Sequence, residues 1–199
     1  MNYEYTYDFN PLKYIGNEEG LTPYSDFPLQ WIQSQQSIRP TLSASEYYAV
    51  TQGYLREWVC MAQCNMYIQI AQDPFIKKAI EIYRQDVCEP NLTELMVILK
   101  NGGYKLPAEY NAISASKSIQ ELGNIQTGVI NDQQIFIGFI FSTMGFMNLW
   151  NMGAAHSFRT EVRNAFVRNY HRANRWHLAF HAMGEQMGFI QPQPEIQPR

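Results

Sequence analysis

The chain has 199 residues, a mass of 23.2 kDa, a formal charge of −3 and a pI near 5.8. That length allows one domain, or one domain with a tail, and is enough to bury a core without covalent staples. With 46% hydrophobic, 14% aromatic and 17% charged residues, the composition excludes a disordered chain and gives no global drive toward nucleic acid.

Residues 1–42 read as an N-terminal arm. Pro11, Pro23, Pro28 and Pro40 interrupt it, no hydrophobic period is sustained, and five of the 13 tyrosines lie in it: Tyr3, Tyr5, Tyr7, Tyr14 and Tyr24. Phe27, Trp31 and Ile32 could dock such an arm on the body or on a neighbour. The opening MNYEYTYDFNPLKY lacks the basic and apolar regions of a secretory signal, so synthesis in the cytoplasm is expected. Three cysteines, Cys60, Cys64 and Cys88, are too few and too odd in number for a disulfide framework, which fits a reducing compartment.

A first helix is predicted from a cap at Ser43 or Ser45 to about Gln72. At 100° per residue, Val50, Gly53, Tyr54, Glu57, Cys60, Met61, Cys64, Ile68 and Ala71 share one face. Asp73-Pro74 ends it and opens a second helix, with Asp as cap and Pro at the first position. That helix should run to about Asn101 and stop at Gly102-Gly103. Its stripe of Ile76, Ala79, Ile80, Tyr83 and Val87 jumps round to Leu92, Leu95, Met96 and Leu99 beyond Pro90. Such a jump needs a kink or an extra residue in the turn. Residues 104–126 read as a long connection, with a short helix after Ser114. A third helix is expected at 129–155 and a fourth at 158–187, the fourth turning Val162, Phe166, Tyr170, Ala173, His177, Phe180 and His181 inward. The tail from 191 to 199 should be extended.

From Gln133 to Phe158 there are 26 residues without Asp, Glu, Lys or Arg. That is long enough to span a bilayer. Its Ser142, Thr143, Asn148 and Asn151 favour instead a helix buried in a bundle or oligomer. Gly138, Ser142 and Gly145 form a small-residue stripe that would admit a close helix neighbour.

The two halves echo each other. Gly103-Tyr104-Lys105-Leu106-Pro107 and Gly188-Phe189-Ile190-Gln191-Pro192 both read glycine, aromatic, two residues, proline, and lie 85 positions apart. Two helical hairpins joined by one long crossover give an all-α fold: an antiparallel four-helix bundle of ferritin-like type over residues 43–190, with the N-terminal arm before it.

The run from Leu42 to Asp73, the ILKNGGYKLP that ends the second helix and the GFIQPQPEI that follows the fourth carry a resemblance. Over residues 42–196 the chain resembles the ferritin-like proteins of spore-forming bacilli related to spore coat protein F and its uncharacterised relatives. The resemblance implies association with the spore coat or the sporulating cell, and it does not extend to the tyrosine-bearing arm.

A di-metal carboxylate bundle needs Glu from two helices and Glu-x-x-His from the other two. The first helix offers Glu57 and the second offers Asp86 and Glu89. Asn91 stands where the resembling family often has His. The third helix offers no acid in its middle, and the fourth offers His177 and His181. The pattern departs from a complete centre, which leaves Glu57, Glu89 and His177 as a candidate single-metal remnant for iron, manganese or zinc. The competing structural reading pairs the buried Glu57 with His177 or an arginine across the core, and makes His177 and His181 core imidazoles bonded to Tyr54, Tyr83 or Tyr170. Cys60 and Cys64 could bind a soft metal only with two more ligands; otherwise all three cysteines are buried free thiols. Arg168, Arg172 and Arg175 form an outward stripe that could bind an anionic partner such as nucleic acid, but without aromatic interleaving it reads rather as a solvated face or one pairing with acids of a neighbour. No GxSxG, GxxxxGK[ST] or GxGxxG occurs.

The function expected from these features is a non-enzymatic structural or interaction protein, associated with the spore or its coat. The competing reading is a metal-binding ferritin-like protein with an incomplete carboxylate/His site. No cofactor, nucleic acid or membrane span is expected. Partners should be a second copy of the chain, most simply as a homodimer, and other spore coat proteins, with cytoplasmic synthesis preceding placement in the coat.

Overall fold

The computed structural model describes residues 41–107 and 130–191. The arm up to residue 40, the connection from 108 to 129 with its expected short helix, and the tail from 192 lie outside the described residues. Those described form helices and turns, with no strand among them.

Helix α1 (Ala44–Ile70) opens on a capping box: Ser43 Oγ accepts from the Glu46 amide, and Glu46 Oε2 accepts from the Ser43 amide. Asp73 caps α2 (Pro74–Tyr83) through the Phe75 amide, with Pro74 where an amide hydrogen is spare. A five-residue π-helical segment, Arg84–Cys88, joins α2 to α3 (Glu89–Asn101) without a break in the rod. The Glu89 amide reaches back five residues to the Arg84 carbonyl. Pro90 sits in the first turn of α3, where its missing N–H costs little. The stripe jump is therefore met by an inserted residue in the turn. Helix α4 (Asp132–Ala155) opens on a second capping box, between Asn131 and Gln134, and α5 (Thr160–Gln186) follows a short turn.

The face assigned to α1 is buried as the periodicity predicts, with Ile68 at its margin. Val50, Tyr54, Ile76, Ile80, Tyr83, Leu95, Leu99, Phe136, Phe146, Trp150, Phe166 and Phe180 form one core across all the helices. Each such side chain contributes about 1.5–3 kcal/mol by leaving water. Helix α1 packs on α2, the π segment, α3 and α4, while α5 packs on α4, α3 and the π segment. The result is a bundle of four helical rods.

The inward face of α5 differs from the expectation. Val162, Phe166, Ala173 and Phe180 are buried, but so are Ala165, Asn169, Trp176, Ala179 and Met183. Tyr170, His177 and His181 sit at the margin, half exposed. Residues with an apolar body and a polar tip settle at a boundary, and the small and aromatic residues beside them take the interior.

Part of the surface of α4 is open in the single chain. Phe141 is 62% exposed, Met144 44% and Met152 62%. In the small-residue stripe, the Gly145 carbonyl meets Arg56 of α1, while Gly138 has nothing near its α-carbon. Gly153, further along, receives the ring of Phe166.

The internal echo is structural. Glu46 Oε1 accepts from the backbone amides of Phe158 and Arg159 at 2.8 and 2.7 Å. Asp132 accepts from those of Gln72 and Asp73 at 2.8 and 2.7 Å. Each acceptor and each donor in the first half lies 86 positions before its counterpart. In both halves the second rod ends in a Schellman turn: Tyr104 N–H to Leu99 and Phe189 N–H to Gly184, with Gly103 at φ +73° and Gly188 at φ +69°. Those ends are 85 positions apart. The offset falls by one between the start and the end of the second rod, and in the first half that interval contains the π segment.

Candidate functional site

Glu57, Cys60 and Cys64 lie three and four residues apart on α1, so they stack along its inward face. The π segment turns Cys88 to the same place. The sulfur atoms of Cys60, Cys64 and Cys88 all lie within 4.8 Å of one another, with Cys60 and Cys88 at 3.4 Å, and none is in a disulfide. All three are at most 3% exposed. Tyr83 is buried beside Cys60 and its hydroxyl makes no hydrogen bond.

The electrostatics of the trio are shared. Burial alone would raise the Cys64 thiol, but hydrogen bonds from Cys60 and Cys88 outweigh it and, with the charge of Arg84, bring it down to about 6. Cys60 is pushed well up by its hydrogen bond to Cys64, and Cys88 well up by burial. The first proton thus leaves the trio readily and the others do not.

Glu57 is fully buried. Its Oε1 accepts from Asn91 Nδ2 at 2.7 Å, while Oε2 has no hydrogen-bond partner. Burial, then the neighbouring Cys60, push its carboxyl well above the usual range, against smaller opposing effects of Asn91, Cys88 and Arg56. Asn91 Oδ1 accepts from Arg172 Nη1 at 3.0 Å, and Arg172 Nη2 donates to Glu94 at 2.7 Å. Arg168 joins Glu94 at 3.2 Å. A chain of polar groups therefore runs from the buried carboxyl to the surface. Two arginines of the α5 stripe, Arg168 and Arg172, are thus paired with Glu94 of α3, and Arg175 is not.

The residues expected to form a metal remnant have separate partners. Glu57 turns to Asn91 and the thiols. Glu89 pairs with Arg84 at 3.6 Å, with its side chain 42% exposed. His177 Nδ1 lies 3.0 Å from Thr143 Oγ1, and its ring stands edge-on to His181 with centroids 4.6 Å apart. Burial, then His181, lower the His177 pKa. Glu57, Glu89 and His177 do not gather as a group; among the described residues the fold gathers the cysteines. The Cys60–Cys64 spacing was visible in the sequence. The placement of Cys88 was hidden by the π segment, and its trace was the stripe jump between Val87 and Leu92.

No family model matches the chain, and no curated protein matches it. Among solved structures, the fold is similar to that of a protein from Bacillus halodurans named "putative spore coat protein", with a TM-score of 0.68 and 16% identity over 80% of this chain and 100% of that one. The likeness covers the whole of that helical protein and is a likeness of fold.

Proposed function

We propose that this chain is a non-enzymatic structural or interaction protein of the spore, placed in or on the coat after synthesis in the cytoplasm. The observation that carries the reading is the likeness in fold, along the full length of the other protein, to a structure bearing a spore coat name. The finer architecture in this reading is an antiparallel ferritin-like bundle, and the two halves in register support that: each hairpin closes on the other through one carboxylate and two amides. Helix α4 is long and apolar enough to cross a bilayer by length and composition. In the proposed protein it is instead a bundle helix, because Phe136, Phe139, Phe146 and Trp150 are spent on the core. Its open face then serves contacts with a second copy and with other coat proteins.

The test is fractionation of the native host at sporulation with an antibody to the chain. The chain should be extracted with the coat layer of purified spores and be absent from vegetative cells. Equal amounts in growing cells, with none in the coat extract, would overturn the reading.

A further inference from the structure

We propose that Cys60, Cys64 and Cys88 form a buried structural site for one zinc ion, completed when the neighbouring Glu57 side chain, which stands outside the group of sulfurs, turns toward them. Three thiols within 4.8 Å of one another supply most of a tetrahedral set. Zinc–sulfur bonds of about 2.3 Å place tetrahedral sulfurs about 3.8 Å apart. The shortest observed separation of 3.4 Å and the 4.8 Å limit bracket that spacing, so small side-chain rotations complete it.

A second observation points to the ion. Glu57 Oε2 is buried with no hydrogen bond of good geometry among the described residues, in a carboxyl acted on by Cys60, then Asn91, then the Cys88 thiol within weak hydrogen-bonding reach. An unpartnered buried carboxyl oxygen is costly, and a metal bond is one way to satisfy it. Asn91 holds the other oxygen, the outer-shell contact that fixes a ligating carboxylate. Three sulfurs with one oxygen suit zinc, a borderline ion, better than copper(I), which favours sulfur alone. On binding, the protons still held by the thiols and by the Glu57 carboxyl pass to solvent, and the three thiolate sulfurs and one carboxylate oxygen donate lone pairs to zinc. Arg84 beside Cys64 and Arg56 beside Glu57 offset part of the negative charge that remains. The π segment that delivers Cys88 thereby gains a role, since such insertions recur at functional sites. This site stands on its own ligands, so it and the proposed spore role can fail separately.

The experiment uses the full chain, refolded with zinc and a phosphine reductant, desalted, and weighed by native mass spectrometry. One zinc per chain is expected. Asn91→Ala should weaken zinc binding about 10–100-fold, and Cys88→Ala and Glu57→Gln at least as much. Because these variants can fail to fold, the wild-type chain supplies two further readouts. Cobalt(II) in place of zinc should show the charge-transfer and red d–d bands of tetrahedral thiolate coordination. Zinc at a hundredfold excess over its Kd should raise the thermal midpoint by about 5–10 °C. A wild-type chain that carries no zinc and shows no tetrahedral cobalt spectrum would overturn the proposal. So would zinc held equally by Cys88→Ala, or binding of copper(I) alone.

Discussion

The carboxylate of Glu46 accepts from three backbone amides, one of them within the capping box of α1. One oxygen serves Ser43 at its own helix start, and the other serves Phe158 and Arg159 where α5 begins. Burial would raise its pKa, but those amides and the Ser43 hydroxyl win and hold it below the usual carboxylate range. A group whose folded pKa is lowered stabilises the fold fully above its unfolded value, about 4.3 for Glu. That contribution is lost as pH falls through the lower folded value. Glu46→Gln should cost about 1.5–3 kcal/mol at neutral pH. It should also flatten the acid limb of a plot of denaturation midpoint against pH, and an unchanged limb would remove the electrostatic account. Gly53 makes a steric counterpart. A β-carbon there would lie 2.6 Å from the Trp150 ring and 3.1 Å from Leu95. Gly→Ala within a helix ordinarily gains about 1 kcal/mol. Here Gly53→Ala should instead lower stability by about 1–3 kcal/mol, as overpacking does; urea titration that finds the variant more stable would mean that Trp150 has room to move.

At the scale of elements, the inserted residue is what joins two stripes of different phase. Ile76, Ile80, Tyr83 and Val87 face the core before it, and Leu92, Leu95 and Leu99 after it. With a regular α-helix throughout, one of these sets would turn outward by about 100°. Deleting Gln85, an exposed residue of the π segment, should give a continuous α-helix with both stripes still buried. The deletion chain should keep its far-ultraviolet dichroism and unfold cooperatively, whereas loss of cooperative unfolding would show that the insertion does not set the phase. The sequence made the jump legible but left two remedies open, because a stripe records phase and not the hydrogen bonds that change it. Much else at this scale was readable for local reasons: Ser43, Asp73-Pro74 and Gly102-Gly103 act within one turn of where they stand. The phase of α5 was not, since Tyr170, His177 and His181 score as inward on composition while tertiary packing gives that face to Asn169 and Trp176. The same error carried into the site. The burial of Glu57 was legible from α1 alone, but its company depended on how two other rods are turned.

At the scale of the whole molecule, α4 divides its apolar residues between two faces. One packs in the core, and the other presents Phe141, Met144 and Met152 in a stripe three and eight residues apart, with Phe158 78% exposed beyond its end. No charged side chain interrupts α4 between Gln133 and Ala155. An open apolar stripe of this kind calls for a partner. The simplest closed arrangement is a two-fold pair in which the same stripe meets itself. Sedimentation of the full chain should therefore show a dimer that dissociates on dilution. Phe141→Glu places a charge on the stripe, at its N-terminal end, and should give a monomer of unchanged helicity. Val97→Glu alters an exposed apolar residue on α3 and should leave the dimer intact. If deletion of residues 1–40 abolishes the dimer while Phe141→Glu does not, the arm carries the contact rather than α4. Flotation of the chain with lipid vesicles, lost in Phe141→Glu, would instead assign the stripe to a membrane surface. A monomer at every concentration, unaltered by either change and indifferent to vesicles, would show that the exposed stripe needs no cover, and the self-association account would then fall.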